Sequence, residues 1–181
     1  MVTPFRTQTE KVCLFINCMS LLNAMGSRID FQRLREIVVA HREVAIARVY
    51  CGEIAKEKHF AFFEYLRGLG FEVIVVKNPR SKASSSGDDP ELMRAIGCQI
   101  AWDICDILSR GWYSSMILVT GGFEMADIVT KIRERGIEVE VCFPEKSCSP
   151  TLRGRATLFR PLETGCCSSK HREKLKIEQR P

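Results

Sequence analysis

Short apolar runs rich in Val, Ile and Phe recur along the chain at Val12–Ile16, Val44–Tyr50, Phe71–Val76, Met116–Val119 and Ile137–Cys142. Each has the length and composition of a buried strand, so five strands are expected. Helical spacing fills the intervals. Phe31, Leu34, Ile37 and Val38 share one helical face, as do Phe60, Phe63 and Leu66, and Met125, Ile128, Val129 and Ile132. The longest helix is expected to open at Asp89-Pro90-Glu91, which combines an N-cap residue, proline at the first helical position and an acid in the first turn. It carries Leu92, Ile96, Ile100, Ile104 and Ile107 or Leu108 along one stripe and ends near Gly111. Gly70, Gly111 and Gly136 each fall between a helical pattern and a following strand, where a left-handed residue ends a helix.

Alternating strands and helices imply a mostly parallel five-stranded sheet covered on both faces, a three-layer α/β/α sandwich with Rossmann-like winding. Ligands of such sheets bind beyond the carboxyl ends of the strands, where the winding reverses. The segments to search are therefore Asn17–Ser20, Cys51–Glu53, Lys77–Asp89, Thr120–Gly122 and Phe143–Arg155.

At 181 residues the chain suits one domain, read as residues 11–162. Residues 1–10 form an N-terminal tail, and residues 163–181 a basic, disordered one. The net charge of +5 favours acidic partners, but much of it resides in that tail: Lys170, Arg172, Lys174, Lys176 and Arg180 stand against Glu173 and Glu178. No run approaches a membrane span and no secretory signal opens the chain, so a cytoplasmic protein without a membrane role is expected. Nine cysteines without any C-x-x-C spacing read as reduced, partly core residues, and not as a disulfide or zinc framework.

The segments Val12–Asn17, Ala47–Tyr50, Leu66–Val76, the helix around Asp103, Ile117–Gly121 and Ile132–Val141, followed by Phe143-Pro144, Ser149 and Leu152-Arg153, together resemble the NYN domain, a PIN-like ribonuclease family that includes the LabA-like proteins. The resemblance implies an aspartate at the end of the first strand, two aspartates six residues apart on the long helix, and a Ser-Gly-Asp-x-Asp-Phe turn after the fourth strand. Those acids would hold Mg²⁺ or Mn²⁺ for hydrolysis of an RNA phosphodiester. The matching positions here read Asn17, Gly97 with Asp103, and Thr120-Gly121-Gly122-Phe123-Glu124-Met125. Asp103 is kept, and Glu124 is one methylene longer than the family's residue.

Hard divalent cations want several converging anionic oxygens. Asn17 brings a neutral oxygen, and Gly97 and Gly122 bring no side chain. A degenerate site is therefore expected, in a domain that binds RNA or a protein partner and cuts little or not at all, with no cofactor or with weakly held Mg²⁺ or Mn²⁺. The rival reading is an active RNA endonuclease that uses Asp103 and Glu124 as a metal pair, with Asn17 orienting the nucleophile. A third is a structural module that pairs with other proteins or with itself.

Plainer roles stand beside each residue. Asp103 also suits a helix carboxylate paired to Lys or Arg, Glu124 a first-turn acid, and Asn17 a bond to nearby backbone. Thr120, Gly121 and Gly122 form either a metal-free phosphate cradle at a helix start or a tight turn. Arg80 and Lys82, on the Ser-rich loop, with Arg153 and Arg155 would supply further phosphate contacts. Trp102 is expected in the core or an interface.

Overall fold

A computed structural model describes residues 11–26, 29–53, 56–78, 89–110 and 113–163. The elements run β1 (Lys11–Asn17), α1 (Cys18–Met25), α2 (Phe31–Val39), β2 (Glu43–Gly52), α3 (Lys56–Gly68), β3 (Glu72–Val76), α4 (Pro90–Arg110), β4 (Ser115–Val119), α5 (Ala126–Glu134), β5 (Glu138–Phe143), α6 (Pro150–Arg155) and β6 (Leu158–Pro161). They form one sheet in the order β3-β2-β1-β4-β5-β6, with every neighbouring pair parallel. The sheet has six strands where five were expected. The sixth contains Arg160 and ends in Pro161, so it lacks the apolar run that marks a strand; it pairs at the edge, where proline is tolerated.

Right-handed crossovers put α1, α2 and α3 on one face and α4, α5 and α6 on the other. β1 and β4 are buried along almost their whole length because both faces are covered. Leu14, Phe15 and Ile16 with Ile117, Leu118 and Val119 are at most 1% exposed, and each contributes ~1.5–3 kcal/mol by leaving water.

The helix signals behave as their chemistry requires. Asp89 Oδ1 accepts from the backbone N–H of Glu91 at 2.9 Å and of Leu92 at 3.5 Å, capping α4. Gly70 and Gly136 hold φ of 83° and 76°, the left-handed values that end α3 and α5; Gly111 lies outside the described residues. Helix α1, which sequence periodicity did not mark, is only eight residues long and opens directly on the end of β1.

The winding reverses between β1 and β4, since the chain builds outward from β1 through β2 to β3 and then returns to β4. Their carboxyl ends flank the crevice. Asn17 stands level with Tyr50 on β2, and one step past the Ile16–Val119 pair comes Thr120, the residue that follows β4. Tyr50, Asn17 and Thr120 thus make a row across three strands.

Candidate nucleic-acid interface

Asn17 ends β1 and caps α1: its Oδ1 accepts from the Ser20 backbone N–H at 3.0 Å. This is the structural bond to nearby backbone that an Asn at a helix start makes well. Its side chain is fully buried, and Nδ2 has no partner among the described residues; Thr120 Oγ1, 2% exposed as a residue, has none either. Two polar groups at the switch point thus keep hydrogen-bonding capacity that the protein does not use.

The two glycines after Thr120 serve space and not unusual backbone. Gly122 has φ −73° and ψ 137°, ordinary extended values. A Cβ on Gly121 would overlap the Phe143 ring and stand 2.8 Å from the Ser147 carbonyl oxygen, and the Gly121 carbonyl accepts from the Ser149 N–H at 2.9 Å. A Cβ on Gly122 would overlap the Glu124 carboxylate, and one on Gly97 of α4 would lie 3.1 Å from Glu124 Cγ. Glu124 therefore folds back across both glycines, into the space that side chains at 97 and 122 would fill. Its carboxylate covers the turn where a phosphate was expected to rest. The turn runs through the 3-10 segment Phe123–Met125 straight into α5, and Glu124, the acid in its first turn, takes up the positive end that an anion would use.

Asp103 has a different setting. Tyr50 donates its hydroxyl to Oδ2 at 2.8 Å, Gln99 Nε2 donates to Oδ1 at 2.8 Å, and Arg48 Nη1 lies 3.2 Å from Oδ2. Arg48 in turn bonds Glu72 at 2.6 Å. Burial and then the bond to Asp103 hold the Tyr50 phenol far above its usual range, so it stays a donor. Asp103 is thus the carboxylate paired to an arginine, pinning α4 to β2. It sits six residues beyond Gly97, about 9 Å along the helix axis, while Glu124 lies against Gly97. Asp103 and Glu124 share no hydrogen-bonding partner among the described residues.

The family model for the NYN domain matches residues 11–163. The chain belongs to the NYN domain family. No curated protein matches it. Among solved structures it is similar to a protein of unknown function from Vibrio parahaemolyticus, at a TM-score of 0.74 and 22% identity over 93% of this chain and 100% of that one. That likeness establishes the fold. The NYN domain is a PIN-like, nuclease-type domain.

Arg153 is paired with Glu145 at 2.7 Å and lies over the Phe159 ring at 5.7 Å. Arg155 binds Asp127 and reaches Thr130 Oγ1 at 3.3 Å. Both face solvent in part but already have acidic partners. Arg80 and Lys82 lie outside the described residues. Trp102, expected in the core or an interface, is 75% exposed on α4 and so lies outside the core. Sequence reasoning missed Phe123, 73% exposed on the turn beside Glu124. The signal available was its place inside the Thr-Gly-Gly-Phe-Glu turn, outside any apolar stripe.

A cavity of about 260 Å³ opens at the opposite end of the sheet, beside His41, Arg42, Glu140 and Arg160. Its charges are spent internally: Glu140 lies 2.9 Å from Arg42 and 2.7 Å from Arg160. The same arginines donate to the carbonyls of Val38, Val39 and Ile37 at the end of α2. This cavity is a clamp between elements, remote from the crevice.

Proposed function

We propose that this NYN domain binds RNA at the β1–β4 crevice and hydrolyses it little or not at all. The observation that carries the reading is the engagement of Asp103 by Tyr50, Gln99 and Arg48, which takes the one acid unchanged from the family pattern into a structural network. Among the described residues at Asn17 and the Thr120–Glu124 turn, the remaining donors are one carboxylate from Glu124, one amide from Asn17 and one hydroxyl from Thr120. They do not fit a tight Mg²⁺ or Mn²⁺ site, which needs more anionic oxygens, nor the paired-metal arrangement of phosphodiester hydrolysis. Among the described residues no three His, Cys, Asp or Glu side chains gather where they could hold a metal ion.

A cytoplasmic setting belongs to the same reading. It is supported by seven described cysteines that are all free thiols, Cys98 and Cys105 exposed among them, as a reducing compartment allows. No helix of the described residues is long and apolar enough to cross a membrane.

The test is a titration of fluorescein-labelled single-stranded RNA with the full chain in chelator, beside a cleavage assay in Mn²⁺. Saturable binding that weakens steeply with salt, with intact RNA after prolonged incubation, is the expected result. Metal-dependent cleavage abolished by Glu124→Gln would overturn the catalytic part, and absence of binding at low salt the RNA part. A partner-binding or self-associating role is favoured by one observation: Cys98, Trp102 and Cys105 are exposed at four- and three-residue spacing on α4, an apolar stripe facing solvent. Light scattering on wild type and Trp102→Ala tests it.

A further inference from the structure

Phe123 and Glu124 are successive residues of one 3-10 turn at the mouth of the crevice, and both are exposed. The turn is held from below: Met125, at its end, is 1% exposed, its N–H donates to the Gly122 carbonyl at 3.3 Å, and the Gly121 carbonyl is bonded to Ser149. A large aromatic ring kept in water on a fixed turn offers a π-face that a loose loop would not, and unpaired bases stack on such rings whatever their identity. Phe60 and Tyr65 are also exposed, on helix α3.

The Glu124 carboxylate has no hydrogen-bond or ion-pair partner among the described residues. It is acceptor-only and negative. A phosphate is repelled by it, so the group it suits is a pair of adjacent N–H donors. On the Watson–Crick edge of the bases, guanine alone offers two such donors side by side, N1–H and the N2 amino group; adenine, cytosine and uracil each interrupt theirs with an acceptor.

We propose that Phe123 and Glu124 form a subsite for one unpaired guanine, the ring stacking on the base and the carboxylate accepting from N1–H and N2–H. The subsite rests on the RNA-binding reading and adds to it the base that is read and the residues that read it. It also gives a use to the acid left beside the two glycines: Glu124 reads a base where the family's acids hold metal.

The test uses the full chain in chelator and short fluorescein-labelled oligouridines that carry a single central guanosine, adenosine or inosine. Inosine keeps O6 and N1–H and lacks the N2 amino group. The guanosine probe should bind about tenfold tighter than either of the others. Glu124→Gln should erase that preference. Phe123→Ala should weaken all three probes by about tenfold, with Phe123→Leu close to it because bulk without a π-face does not replace stacking. Trp102→Ala, on the outer face of α4, should leave all three unchanged. Equal affinity for guanosine and inosine, or variants at 123 and 124 that bind like wild type, would overturn the subsite while leaving RNA binding in place. Failure of every probe to bind would remove both.

Discussion

Alanine at two adjacent glycines should have opposite consequences. At Gly121 the new methyl meets the Phe143 ring, itself 1% exposed and packed in the core, and the Ser147 backbone carbonyl at 2.8 Å. Neither can retreat: the ring has no free volume behind it, and the carbonyl belongs to a turn fixed by the Ser149–Gly121 bond at 2.9 Å. Overpacking of this kind costs about 1–3 kcal/mol. At Gly122 the methyl meets only the Glu124 carboxylate, the far end of an exposed and flexible side chain. The backbone there already has φ −73° and ψ 137°, which alanine adopts freely. Reduced freedom of the unfolded chain then adds about 0.4–1 kcal/mol in favour of the variant. For a chain of this size ~1 kcal/mol moves the midpoint by about 2–4 °C. Thermal denaturation followed by circular dichroism should therefore show Gly121→Ala melting about 2–12 °C lower and Gly122→Ala level with wild type or slightly higher. A Gly121→Ala midpoint within about 1 °C of wild type, or a Gly122→Ala loss as large as that of Gly121→Ala, would refute the packing argument.

Further outcomes follow from the same geometry. Asp103→Asn should lower stability by about 1–3 kcal/mol in urea titrations through the weakened bonds to Arg48 and Tyr50, yet leave RNA affinity as it was; a loss of affinity without a loss of stability would return Asp103 to the binding site. Calorimetry with Mn²⁺ in the absence of RNA should show no saturable binding at sub-millimolar metal, and a tight single site would contradict the donor count. Restoring acids with Asn17→Asp, Gly97→Asp and Gly122→Asp should create metal binding, the exposed Glu124 side chain moving aside from both glycines; a triple variant that folds but binds no Mn²⁺ in calorimetry would refute the alignment of these positions. Peptide mapping after iodoacetamide at neutral pH should find Cys98 and Cys105 alkylated and Cys13 protected, since burial pushes the Cys13 thiol up from 9.0 to about 12. The unfolded thiol ionises first, so this group's contribution to stability is intact below pH 9 and declines as pH rises from about 9 towards 12.

The parallel sheet was legible because its strands are short, buried on both faces and separated by amphipathic helices, and the cap at Asp89 and the stops at Gly70 and Gly136 are local signals that tertiary packing left in place. Two elements were not. β6 is an edge strand with an arginine and a proline, stabilised by its neighbour and not by its own composition. α1 is short and follows β1 without a loop, so its periodicity merges with the strand's apolar run. The crevice was located by topology, and its residues were named. What a linear reading could not supply is where side chains turn: Asp103 toward Arg48 and Tyr50, and Glu124 back over Gly97 and Gly122. Those directions depend on partners 53 residues away for Asp103 and on empty volume for Glu124. For Trp102 the sequence left core and interface both open, since an aromatic residue on a long helix gives no sign of which neighbour, if any, covers it, and the fold leaves it outside the core.

The clamp of Arg42, Glu140 and Arg160 constrains when the domain can finish folding during synthesis. Arg160 reaches the Ile37 carbonyl at 2.9 Å across 123 positions of chain, and Glu140 is 5% exposed between its two arginines. A nascent chain that ends before β6 has one arginine fewer on a buried carboxylate and a free carbonyl at the end of α2, and losing one partner of a buried charge is costly. The first-made strand, β1, likewise waits for β4, about a hundred residues later, to cover its second edge. Folding is therefore held back until almost the entire domain has left the ribosome, and a chain shortened by even the last four-residue strand should aggregate during expression.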